Sequence, residues 1–86
     1  MRINTKSRKM SNRNRPKLDL KGIGLRIRGL RADIRQEELA SQLGVSQGQL
    51  SKVERGRVAP TLEILLGVAT KFGKSLDWIV IGDGNK

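Results

Sequence analysis

The chain has 86 residues, room for one small domain, and carries 18 Lys and Arg against 8 Asp and Glu, a formal net charge of +10. It has no Cys and no His, which excludes disulfides and thiolate or imidazole metal sites and leaves carboxylates alone for acid–base work. Phe72 and Trp78 are the sole aromatics, too few for a single-strand stacking platform, and there is neither an apolar run of membrane-spanning length nor a signal-peptide stretch, so a cytoplasmic protein is expected.

The charge is uneven. Residues 1–21 hold eight bases and one acid, and residues 22–86 hold ten bases and seven acids. Asn, Ser, Arg and Lys dominate the first segment, Pro16 interrupts it, and its few apolar residues have no period. It is expected to be a disordered basic arm. Such an arm either solubilises the chain or seeks a polyanion. Nucleic acid is the better match, because the segment lacks the apolar face of a membrane-surface helix.

From Ile23 a helical period begins: Ile23, Ile27, Leu30 and Ile34 recur at one face of a helix or of a helix and its exit. Gly22 and Gly24 form a GxG, but no strand precedes it and the third glycine of a phosphate loop is missing. A second helix is predicted over 36–43, with Leu39, Ala40 and Leu43 inward and Glu37 and Glu38 in the first turn, where the helix dipole favours acids. Arg35 stands at its cap position and is a poor cap. Gly44 ends it. A third helix follows at once, capped by Ser46, with Gln49 completing an S-x-x-Q capping box, and runs to about Arg55 before Gly56.

After the loop at Pro60, Thr61 caps a fourth helix over 62–72, with Leu62, Leu65, Val68, Ala69 and Phe72 at core spacing and Gly73 closing it. Ser75 caps a short fifth helix to which Leu76, Trp78 and Ile79 bring apolar contact, and Gly82 ends it. The run WIVI has no partner strand. The fold class is therefore all-α, with five short helices and no internal repeat.

Two helices joined by a short glycine-containing turn are the arrangement of a DNA-reading helix-turn-helix. At about 100° per residue, Gln47, Ser51, Arg55, Gly48 and Lys52 share one arc of the third helix, while Leu50 and Val53 lie on the other side. The apolar side anchors the helix. The polar arc presents an amide, a hydroxyl, an ammonium, a guanidinium and a gap at Gly48, groups that suit the donors and acceptors of the major groove. The alternative is an ordinary solvated face with a neutral glycine.

The stretch QEELASQLGVSQGQLSKVERG, followed by PTLEILLGVA and SLDWIVIG, resembles the Cro and phage-repressor type of helix-turn-helix, the Xre family, across residues 23–82. The resemblance implies a compact five-helix, lambda-repressor-like DNA-binding domain. It implies base reading by Gln47, Gly48, Ser51 and Lys52, with Gln47 placed for a bidentate contact to adenine and Lys52 for guanine or a phosphate. It implies phosphate contacts from Gln36, which in the family also braces the first reading residue, and from Gln49, Arg55, Arg57 and Thr61. Arg35 joins this set as a phosphate contact in place of the missing cap. Arg31 and Glu54 are expected to form an architectural ion pair that fixes the third helix. The link from Arg31 to Gln36 is shorter than is common in the family.

The function expected is a sequence-specific regulator of double-stranded DNA, a repressor of bacterial or phage type. It would bind a palindromic operator as a homodimer, because one reading helix spans too few bases. Trp78, Val80 and Ile81 offer a self-complementary patch, unless Trp78 closes the core. The arm would add sequence-independent affinity by counterion release. One rival is an antitoxin or adaptor that binds a toxin or other protein partner and regulates its own promoter; another is a basic RNA-binding peptide. No general acid–base pair is evident, so no enzyme, catalytic residue, metal or cofactor is expected.

Overall fold

The computed structural model describes residues 17–82. Most of the basic arm lies outside this range, as do residues 83–86. Five α-helices make up the regular structure of the described residues: α1 (Leu20–Arg31), α2 (Gln36–Leu43), α3 (Gln47–Glu54), α4 (Leu62–Phe72) and α5 (Leu76–Val80).

The first helix begins at Leu20, three residues before the expected Ile23. Asp19, counted with the arm, is the reason: its carboxylate accepts from the Gly22 N–H at 3.0 Å and caps the helix. Leu20 and Lys21 are therefore helical residues of the domain. The helix ends at Arg31, and the chain leaves through Ala32 at φ 50° and ψ −117°, with the Ile34 N–H donating to the Arg31 carbonyl at 2.9 Å. These angles are those of the first central position of a type II′ turn, a place dominated by glycine. The turn explains how so short a link reverses the chain. Ile34 lies outside the helix yet packs against the core.

Gly44 ends α2 in the left-handed region at φ 77°. The Val45 N–H reaches back to the Ala40 carbonyl at 3.0 Å and the Gly44 N–H to that of Ser41 at 3.1 Å. This paired closure satisfies carbonyls that a helix end otherwise leaves open. Ser46 then starts α3 at once, its hydroxyl accepting from the Gln49 N–H at 3.0 Å. Thr61 and Ser75 cap α4 and α5 in the same way. Arg35 makes no side-chain cap to α2, as its residue type implies.

The core consists of Ile23 and Ile27 from α1, Leu39 and Ala40 from α2, Leu50 and Val53 from α3, Ile64 and Val68 from α4, and Ile79 from α5. Leu62, expected at core spacing, does not enter it and is 80% exposed, and Leu76, expected to bring apolar contact, is 45% exposed. In α4 the inward arc centres on Val68 and Phe72 and extends to Ile64, so Leu62, in the first turn, falls beyond its other edge. Leu65, Ala69, Phe72, Trp78 and Val80 pack against the core from its margin.

The GxG of the first helix proves to be a packing device. A Cβ on Gly24 would strike the Glu54 carbonyl oxygen, so glycine is what lets α1 lie directly against the end of α3. Arg26 closes the bundle from another side. Its Nε and Nη2 donate to the Ile79 and Val80 carbonyls at 2.7 and 3.0 Å, which ties the end of α5 to α1. Nothing in the periodicity of the sequence marks that long-range contact.

Candidate nucleic-acid interface

The polar arc of α3 faces outward. Leu50 and Val53 are buried, whereas Gln47, Gly48, Lys52 and Arg55 are exposed and Ser51 is half-buried. Hydrophobic anchoring on one side thus fixes which side chains the helix offers on the other. Around Gly48 a Cβ would meet nothing closer than the Ser46 hydroxyl, at 4.0 Å. Internal packing does not demand glycine there.

Beneath this arc runs a chain of polar contacts. Glu54, 5% exposed, receives two bonds from Arg31, Nε to Oε2 at 2.7 Å and Nη2 to Oε1 at 2.8 Å. The bidentate bond raises the Arg31 pKa above its ordinary value, against the opposing effect of burial. Arg31 also donates from Nη1 to the Ile34 carbonyl at 2.9 Å, so the same guanidinium that holds Glu54 fastens the turn after α1. Arg31 and Glu54, the pair that the family resemblance implies, are thus in direct contact.

Gln36 extends the chain. Its Nε2 donates to Glu54 Oε1 at 2.9 Å, and its Oε1 accepts from Gln47 Nε2 at 3.3 Å. The direction of these bonds is chemically fixed. An ionised carboxylate only accepts, so Gln36 must turn its amide nitrogen toward Glu54 and its oxygen toward Gln47. Gln47 must then donate. One N–H of its amide and its Oε1 remain free, a donor and an acceptor side by side, which matches N7 and N6 of adenine. A buried ion pair in this way selects the orientation of an exposed amide two residues along the relay.

The remaining candidates are placed less uniformly. Arg35 is exposed and lies 3.7 Å from Glu37. Arg55 and Arg57 are exposed, and neither meets a carboxylate within 4.0 Å among the described residues. Thr61 uses its hydroxyl oxygen to accept from the Ile64 N–H, which leaves its O–H free to donate. Gln49 stands apart from the polar arc. It is half-buried, and its backbone N–H is occupied by Ser46, so a phosphate could meet it only through the side chain. The side-chain half of the expected capping box, from Gln49 back to Ser46, is not formed.

Trp78 packs against the core with Lys74 Nζ 4.6 Å above its ring, while Ile81 is 69% exposed beside Leu18, itself 62% exposed. The apolar patch at this end of the molecule therefore belongs to Ile81 and Leu18, with Val80 at its margin, more than to the tryptophan. Among the described residues no group of His, Cys, Asp or Glu could hold a metal ion, and no helix is long and apolar enough to cross a membrane. The brace from Gln36 to Gln47 follows the family resemblance, but the bond that anchors Gln36 on Glu54 is a feature the sequence did not reveal. Gln36 and Glu54 lie 18 residues apart, beyond any helical period.

A helix-turn-helix family model matches residues 26–79. The fold is similar to that of the P22 c2 repressor, solved in complex with a synthetic operator. The TM-score is 0.65 and the identity 36%, covering 71% of this chain and 96% of that one. It is also similar to the restriction-modification controller protein C.AhdI from Aeromonas hydrophila, with a TM-score of 0.63 and 32% identity over 71% of this chain and 91% of that one. An HTH-type transcriptional regulator of Methanocaldococcus jannaschii is 35% identical over 49 residues, which is 57% of this chain and 74% of that protein.

Proposed function

The chain belongs to the Xre-type helix-turn-helix family of DNA-binding transcriptional regulators, and from that premise we propose that it is a cytoplasmic repressor that occupies a roughly palindromic operator as a homodimer, reading bases with α3. The observation that carries this reading is the braced Gln47. A surface glutamine with no external task gains little from a relay anchored on a buried ion pair, whereas a base-reading glutamine needs its amide held in one orientation before it meets the duplex.

Gln47, Gly48, Ser51 and Lys52 read base edges in this account. Gly48 keeps the first turn of α3 open to close approach. Gln36, Arg35, Arg55, Arg57 and Thr61 hold phosphates, which position the protein without specifying sequence. Gln49 has the weakest geometric support of the phosphate set. The P22 c2 repressor was crystallised on operator DNA, and its likeness to this chain supports a duplex partner. The exposed Ile81 and Leu18 supply apolar surface for a second copy, with two α3 helices about 34 Å apart on successive turns of the duplex.

Selection of bound duplexes from a random pool, followed by footprinting, tests the proposal. The expected outcome is a recurrent sequence with two-fold symmetry and half-sites about one helical turn apart. Recovery of unrelated sequences would sink it. A second reading, an antitoxin or adaptor that also regulates its own promoter, draws on the exposed Leu62 and Leu66, 80% and 62% accessible on one side of α4. A co-purifying protein that shields both leucines from modification would favour it.

A further inference from the structure

The reading arc of α3 does not end in solvent. Its stripe runs from Gln47 through Ser51 to Arg55, and beyond Arg55 the surface opens into a concavity of about 350 Å³ lined by Lys21, Leu25 and Arg28 of α1 and by Glu54, Arg55 and Arg57. Four of these residues are cations. All four are exposed, and none has a carboxylate within 4.0 Å among the described residues. The single acid at the site, Glu54, is already engaged by Arg31 and Gln36.

Close packing created this cluster. Gly24 lets α1 touch the last turn of α3, and Gly56, at φ 74°, lets the turn after α3 lie against the backbone of Lys21, where a Cβ would come within 2.8 Å of the Lys21 Cα. Two glycines thus bring the cations of α1 beside those that follow α3. Unrelieved, four like charges around one hollow repel each other. An anion relieves them.

From this we infer that Lys21 and Arg28 join Arg55 and Arg57 in a two-sided clamp for a backbone phosphodiester at the edge of the groove that α3 enters. The inference rests on the proposed DNA-binding reading and adds α1 to its contact surface. Its geometry follows from the helix. Gln47 and Arg55 are eight residues apart, a rise of about 12 Å. The major groove is about 12 Å wide. With Gln47 at the bases, the hollow reaches the sugar–phosphate strand at the groove's margin. The C-terminal end of a helix carries negative partial charge and repels a phosphate, so an anion site there needs cations from elsewhere, and α1 supplies them. The competing explanation is that these cations merely neutralise that helix end.

The test measures binding of the full chain and of the double variant Lys21→Gln/Arg28→Gln to an operator duplex and to a random-sequence duplex, across a range of salt. Lys71→Gln/Lys74→Gln, which removes the same charge from the end of α4 and the loop after it, controls for net charge. The clamp predicts that the log–log salt slope of the Lys21/Arg28 variant falls by about 1 relative to the control, and that its affinity falls about threefold to tenfold by the same factor on both duplexes. A slope equal to the control's, with or without a lowered melting temperature, overturns the clamp and leaves the cations to the helix end. Because the random duplex alone reads the clamp, a wild type that fails to distinguish operator from random DNA refutes base reading while the clamp still stands or falls on its slope.

Discussion

The two links that flank α2 do similar jobs by different means. The turn from α2 to α3 is closed by its own residues: Gly44 in the left-handed region, paired backbone bonds to Ala40 and Ser41, and the Ser46 hydroxyl on the Gln49 N–H. The link from α1 to α2 has a single turn bond, from the Ile34 N–H to the Arg31 carbonyl, and no side-chain cap. Ala32 occupies a glycine-favoured conformation, Arg35 caps nothing, and the segment is held by Arg31, which grips the Ile34 carbonyl with one nitrogen and Glu54, 23 residues away, with two others. One link is self-sufficient. The other leans on α3 through Glu54, and this dependence couples the entry to the helix-turn-helix to the orientation of α3.

The largest effect should come from cutting that dependence. Glu54→Gln leaves the Arg31 guanidinium, 15% exposed, without its counter-charge and replaces one of the two oxygens that accept from Arg31 and Gln36 by an NH2 that cannot accept. The expected cost is about 3–5 kcal/mol, a large share of the stability of so small a domain, read as a lowered denaturation midpoint. A loss below about 1 kcal/mol would show that the link stands without the ion pair. The self-sufficient turn should be less sensitive. Ser46→Ala removes one cap and should cost about 1 kcal/mol by the same denaturation assay, with no effect on the Arg31 network. The smallest effect has the opposite sign. Ala32→Gly relieves a conformation that L side chains avoid and should stabilise the domain slightly, by less than about 1 kcal/mol, because glycine also gains freedom in the unfolded chain. Destabilisation by this change would mean that the turn carries no strain.

The same contrast explains what could be read from the residues alone. The end of α2, the starts of α3, α4 and α5 and the end of α4 are written locally, in Gly44, Ser46, Thr61, Ser75 and Gly73, and those helix termini fall where these residues place them. The polar arc of α3 was equally legible, because a period of 3.6 sorts Leu50 and Val53 from Gln47 and Lys52. Periodicity alone places the start of α1 too late because Asp19 sits amid basic residues and looks like part of the arm. Spacing alone puts Leu62 in the core, because it does not tell the margin of an apolar stripe from its centre. The tie between Gln36 and Glu54, the grip of Arg26 on α5, and the meeting of Lys21 and Arg28 with Arg55 and Arg57 arise from the packing of helices distant in sequence, in the last case at Gly24 and Gly56. Sequence separation conceals such contacts, and an exposed helical cation looks the same whether or not another helix brings it company.

The central claim is that the outward flank of α3, with Gln47 held by Gln36, discriminates among DNA sequences. The most direct test compares the affinities of wild type and Gln47→Ala for a selected operator and for a random duplex at one salt concentration. The account predicts a loss of about 1–3 kcal/mol on the operator and almost none on random DNA. An equal loss on both duplexes, or no loss on either, would contradict it.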